Sequence, residues 1–105
     1  MPKLKVKRLE SLKEKTIGFI GREKITPVIF ETRFGIHTFG LKFPIDVLIL
    51  DKRYRVRYIK KNLVQNRLFF WNPMYDTVIE LQAGTVEKKG ITKGEQILTE
   101  TIEYR

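Results

Sequence analysis

The chain has no cysteine, a single histidine (His37) and a single serine (Ser11). Without thiols there is no disulfide, no thiolate nucleophile, no iron–sulfur cluster and no cysteine zinc site, and one histidine cannot build a multi-histidine metal centre. A serine triad is disfavoured, because Ser11 heads a helical pattern and serves better as its cap. There is no Gly-rich phosphate loop. Gly84, Gly90 and Gly94 lie too far apart, and in the wrong pattern, for a dinucleotide fingerprint. No metal and no cofactor are therefore expected. No window reaches the roughly 18 consecutive apolar residues of a membrane-spanning helix. The basic start, Met1 to Arg8, lacks the apolar stretch of a secretory signal. These absences lead to the expectation of a cytoplasmic protein without a membrane partner. Thermolabile side chains are also scarce, with three Asn, three Gln and two Met, a composition that fits a thermophile.

What is present fits one domain, residues 1–105, with 42% hydrophobic residues for a core and 31% charged residues. The net charge of +9 favours a monomer or weak homodimer and an anionic partner, nucleic acid included, or a small ligand. Lys3 to Arg8 alternates as a half-buried strand does. Ser11 and Glu14 match a capping box, and Leu12, Thr16, Phe19 and Ile20 share one helical face, so a short helix is expected near 12–20, ended by Gly21. From Pro27 onward the pattern is β. Strands are expected at 27–31, 36–41, 45–50, 53–60, 77–82 and 96–104, with a long loop at 61–77 that packs its aromatics back onto the body and a turn with one helical turn at 83–90. Ile45 to Leu50 is apolar apart from Asp46, the mark of a strand covered on both faces. Many short strands and one small helix imply a mainly β fold: a compact β-barrel or jelly-roll-like sandwich with one short N-terminal helix.

The segment Ile36-His37-Thr38-Phe39, then Phe43-Pro44-Ile45-Asp46-Val47 and an apolar strand ending at Asp51, resembles the signature of the domain of unknown function 192 family. So do Ile79 to Gly84, Gly90-Ile91, Lys93-Gly94-Glu95 and, more weakly, Gly18 to Arg22. The chain departs from the family pattern at Leu41, where Met is usual, at Gln82, where Pro is frequent, and at Lys52-Arg53, where a Gly-containing turn is usual. The resemblance implies a compact β fold of barrel or jelly-roll type and no established activity.

Three residues form the candidate catalytic set: His37, Asp46 and Glu80. An imidazole titrates near neutrality and suits general acid–base work, and two carboxylates with it suit a sugar or phosphoester substrate. Each has a structural alternative. His37 can wedge beside Phe39 and Leu41. Asp46, costly to bury unpaired, can accept backbone amides at the Phe-Pro corner. Glu80 can pair with His37, Arg22 or Lys42 as architecture. A ligand cleft is expected along His37, Phe39, Lys42, Phe43, Asp46 and Glu80. Separately, Arg53, Arg55 and Arg57 alternate with Tyr54, Val56 and Tyr58, and Lys60, Lys61, Arg67 and Trp71 follow. That stripe suits a single-strand or RNA platform. Its structural alternative is an edge strand whose arginines block pairing with other sheets. The main expectation is a non-enzymatic binding or accessory module; nucleic-acid binding and hydrolysis are the alternatives.

Overall fold

In the computed structural model, residues 1–9, 26–33 and 35–102 are described. The helix expected at 12–20, with the Ser11 cap and Arg22, lies outside them. The described chain is mainly β. Its elements are β1 (Lys3–Arg8), β2 (Val28–Glu31), β3 (Gly35–His37), β4 (Ile45–Leu50), β5 (Val56–Leu63), β6 (Leu68–Phe70), β7 (Thr77–Gln82), α1 (Thr85–Lys89) and β8 (Leu98–Thr101).

Six strands form one sheet in the order β5-β4-β7-β2-β1-β8, and β3 pairs with β6 as a separate two-stranded ribbon. The central pairs β5–β4, β4–β7 and β7–β2 are antiparallel, whereas β1 runs parallel to both β2 and β8. The sheet is not closed by a continuous ladder. A single bridge, Arg55 to Gln96, links the approach to β5 with the approach to β8. Around it Val56 N–H donates to the Glu95 carbonyl and Ile97 N–H to the Tyr54 carbonyl, both at 2.8 Å.

The sheet has a core on each face, and strand alternation divides its residues between them. Leu48, Leu50, Ile79 and Leu81 join Leu4, Val6, Val86, Ile91 and Ile97 on one side. Ile45, Val47, Ile49 and Val78 join Val28, Phe30, Leu63 and Trp71 on the other. Every residue of β4 is buried, as its run, apolar apart from Asp46, predicts. The β3–β6 ribbon covers the second core with Ile36 and Phe69. That ribbon occupies part of the segment expected to be a loop. It forms because Gly35 lets Phe70 close in: a Cβ at Gly35 would stand 2.6 Å from Phe70 Cδ1 and 2.7 Å from the Phe69 carbonyl oxygen. Gly40, inside the strand expected at 36–41, instead occupies a turn at φ 81°. The strand 36–41 therefore stops at His37.

Candidate functional site

Two carboxylates of the central strands illustrate opposite solutions to burial. Asp46 is 1% exposed. Its Oδ1 accepts the Asn62 amide at 2.9 Å, and its Oδ2 accepts the amides of Gly84 and Val86, both at 3.0 Å. The local backbone explains the aim. Between Ile45↔Leu63 and Val47↔Lys60 the register shifts, so Lys61 and Asn62 together oppose Asp46. Asn62 sits at φ 54° and turns its N–H toward the carboxylate. Gly84, at φ 95°, does the same from the turn after β7. Asp46 therefore ties β4 to β5 and to the entry of α1. It accepts backbone amides, though those of residues 62, 84 and 86 rather than the Phe43-Pro44 corner. It lies at the edge of a hollow of about 340 Å³ with Lys61, Asn62, Ala83, Gly84 and Glu87. Each of its oxygens is already engaged.

Glu80 is the reverse. Its cross-strand partners are Val28 and Val47, which places it on the second core's face. Only a minor part of its surface reaches solvent. It has no hydrogen bond or ion pair among the described residues. Desolvation pushes its pKa up to about 8, so the carboxyl is mostly protonated at neutral pH. Asp46 pairs with Leu81, whose side chain belongs to the opposite face. The two acids expected to share a cleft are thus separated by the sheet itself.

His37 is exposed on β3. Its Nδ1 accepts the Phe39 amide at 3.3 Å, and its ring stacks on Phe39 at 5.2 Å between centroids. Phe39 and Lys42 are exposed, while Phe43 packs against the second core. The structure brings His37 and Phe39 together and joins neither to Asp46. The residue between them, Thr38, holds the ribbon's end in place. It is 2% exposed, its hydroxyl donates to the Val64 carbonyl at 2.6 Å and accepts the Arg67 amide at 2.9 Å. A threonine in a strand-like pattern gives no sign of such a tie, because both partners lie more than 25 residues away.

The arginine stripe is organised around Asp51. Its Oδ1 accepts the amides of Arg53 and Arg55 at 2.8 and 3.0 Å, and its Oδ2 accepts Arg57 Nε at 3.0 Å. Partial desolvation would raise its pKa, but these three donors and the Arg57 charge outweigh that and hold it below the usual value. The Asp-anchored turn, with Tyr54 at φ 61°, leads into β5 at the edge of the sheet. Asp51, Lys52, Arg53, Arg55, Arg57, Met74 and Tyr75 line a groove of about 310 Å³. Arg57 lies over the Tyr75 ring at 5.7 Å. Lys52, Arg53 and Arg55 have no carboxylate partner among the described residues. Trp71 is not part of this surface. It is 7% exposed, in the second core, with Nε1 donating to the Tyr75 carbonyl at 2.7 Å. It cannot offer its face to a base, because burial satisfies both its ring and its N–H.

No group of three metal-ligating side chains converges among the described residues. No helix among them is long and apolar enough to cross a membrane. Residues 2–99 match the sequence profile of the domain of unknown function 192 family (DUF192), described as "Uncharacterized ACR". No curated protein matches the chain. A protein of unknown function from Novosphingobium aromaticivorans DSM 12444 superposes with a TM-score of 0.74 at 19% identity, over 87% of this chain and 70% of that one. A candidate transcription regulator from Sinorhizobium meliloti 1021 gives a TM-score of 0.73 at 20% identity, over 87% of this chain and 78% of that one. At such identities the likeness is one of fold.

Proposed function

This chain belongs to the DUF192 family, and from that footing we propose that it is a non-catalytic binding module for an anionic partner, held in the groove beside β5. One observation carries the reading: three cations without carboxylate partners among the described residues, Lys52, Arg53 and Arg55, stand around a groove with a Tyr75 and Met74 wall. A guanidinium is a rigid fork of donors that matches phosphate or carboxylate oxygens two at a time. The Asp51 ties fix the backbone that carries these side chains, so less freedom is lost when an anion arrives. The net charge of +9 draws anions toward the molecule from a distance. A reading of the sheet as a barrel belongs to the same proposal. It is supported by the Arg55–Gln96 bridge, which joins the two ends of the sheet and lies at the groove. Hydrolysis by His37 with Asp46 and Glu80 finds no support, since the two acids occupy opposite faces and Asp46 is committed to amides.

The test is calorimetric titration with inorganic polyphosphate at low and moderate salt. Binding is expected to weaken steeply as salt rises, and the double variant Arg53→Ala/Arg55→Ala is expected to lose about tenfold or more in affinity while melting as the parent does. Undiminished binding by that variant removes the groove from consideration.

A further inference from the structure

The outer face of the β3–β6 ribbon, with the turn that follows β3, leaves three large apolar side chains exposed. Phe70, Leu68 and Phe39 are 65%, 57% and 48% exposed. They are contiguous. The Phe70 ring lies against Gly35, its cross-strand partner. Leu68 stands opposite His37, and His37 stacks on Phe39 with 23° between the ring planes. The alternate residues, Ile36 and Phe69, are anchored in the second core. Thr38 fastens the ribbon's end to the 64–67 loop through Val64 and Arg67. The rings are thus presented outward from a fixed backbone rather than left over from loose packing.

Cations surround this strip. Arg33 precedes β3, Arg67 precedes β6, and Lys42 follows the turn at Phe39; all three are exposed, and none is ion-paired among the described residues. The strand β5 connects the strip to the arginine groove. It starts at the groove, carries exposed Lys60 and Lys61, and ends at the loop that Thr38 holds. Its eight residues span roughly 26 Å at about 3.3 Å each.

We infer that the β3–β6 ribbon is a stacking platform for single-stranded nucleic acid, with bases on Phe70 and on the His37–Phe39 pair and phosphates following the β5 cations toward the arginine groove. This inference rests on the anion-binding reading and names its ligand. Flat rings on a fixed β surface accept any base, because every base has a π face, and flanking cations neutralise the backbone. A duplex hides those faces inside its stack. A second copy of the chain is a poor occupant, since each copy carries +9.

The experiment is fluorescence anisotropy with labelled oligouridine and oligothymidine of about 12 nucleotides, a matched duplex, and inorganic polyphosphate as competitor. Single strands are expected to bind at least tenfold tighter than the duplex. The double variant Phe39→Ala/Phe70→Ala is expected to lose roughly a hundredfold, about tenfold per ring, with its salt slope unchanged. Both side chains are exposed, so the fold is expected to survive, and a melting curve checks that. Arg53→Ala/Arg55→Ala is expected to reduce the slope instead. Preference for uridine over thymidine oligomers, or its absence, separates RNA from DNA within the inference. Single-strand binding that matches duplex binding and ignores the phenylalanine variant overturns the platform while leaving the groove. Absence of binding to any polyanion overturns both. If the phenylalanine variant abolishes vesicle or self-association while oligonucleotides go unbound, the strip serves a different partner and the inference falls.

Discussion

Asp46 and Glu80 stand in neighbouring strands, one register position apart, and differ in nearly every physical respect. Asp46 receives three backbone amides and has no unpaired oxygen. Glu80 receives none among the described residues, and its pKa rises to about 8. A carboxylate inside a protein is tolerated when donors replace its water, and otherwise it sheds its charge. The difference teaches where the backbone was shaped for the side chain. The bulge at Asn62 and the left-handed Gly84 exist where they deliver N–H groups to Asp46. No such feature surrounds Glu80. Asp46 is a fastening point of the fold, whereas Glu80 is a burden that the folded chain carries by holding a proton the unfolded chain would release.

The sharpest way to break this contrast is to remove the Asp46 carboxylate. Asp46→Ala strands three amides and opens a void, and should cost about 5 kcal/mol, since hydrogen bonds to a charged acceptor contribute about 1.5–3 kcal/mol each and are not additive. Asp46→Asn keeps the shape and one acceptor, but turns an NH₂ toward a donor, and should cost about 2–3 kcal/mol. Urea unfolding at pH 7 measures both. A loss below 1 kcal/mol for the alanine variant would mean that the amides are satisfied by water and that the fastening is illusory.

Glu80 should behave in the opposite sense, and with pH. Its folded pKa, about 8, lies above the ordinary 4.5, so the native state holds a proton that the unfolded chain releases over that interval. Stability is then fullest below pH 4.5, declines as pH rises, and levels off above about 8. Glu80→Gln cannot ionise. The stability difference, variant minus parent, should climb by about 4 kcal/mol between pH 4.5 and pH 8.5. Comparing the difference at two pH values cancels whatever the amide itself costs. A difference that stays flat would show that Glu80 ionises freely and that solvent reaches it.

The sequence carried some of this and not the rest, for reasons that lie in specific residues. A six-residue apolar run broken only by Asp46 announces a doubly covered strand, and burial of a carboxylate there demands donors, so the amide-accepting role was legible. Which amides was not, because the bulge at Lys61–Asn62 depends on pairing between β4 and β5. The opposition of Asp46 and Glu80 was equally hidden. Strand alternation assigns faces within a strand, but only the register Asp46↔Leu81 relates the faces of β4 to those of β7. Trp71 lies in a loop expected to pack its aromatics onto the body, and it does so, with its N–H taken by a carbonyl four residues on; only the nucleic-acid alternative required it at the surface. Phe39, expected in a cleft, and Phe70, which no sequence pattern marks, are the rings left outside, because Gly35 and Thr38 pin the ribbon in that orientation. The mainly β class survived all this because it needs only periodicity and turn residues, not contacts.

Asp51 sharpens the comparison, because it separates the number of donors from the depth of burial. Like Asp46 it accepts three hydrogen bonds, from Arg53 N, Arg55 N and Arg57 Nε. Unlike Asp46 its side chain is 14% exposed, and water stands ready to replace any lost partner. Its pKa is lowered, so its contribution is present above the ordinary value of 3.8 and disappears as pH falls through the folded value. Asp51→Asn should therefore cost only about 1 kcal/mol at pH 7 and nothing at a pH where the parent's carboxyl is already protonated. The same variant should loosen the turn that carries Arg53 and Arg55, and so weaken polyphosphate binding while adding one unit to an already positive surface. Those two effects on the anion oppose each other. Net weakening would mean that positioning of the guanidiniums outweighs the gain in charge, whereas net tightening would mean that the groove attracts anions by charge alone. If the loss of stability instead equals that of Asp46→Asn, donor count rather than burial decides what a carboxylate contributes, and the contrast between the two faces of the sheet loses its explanation.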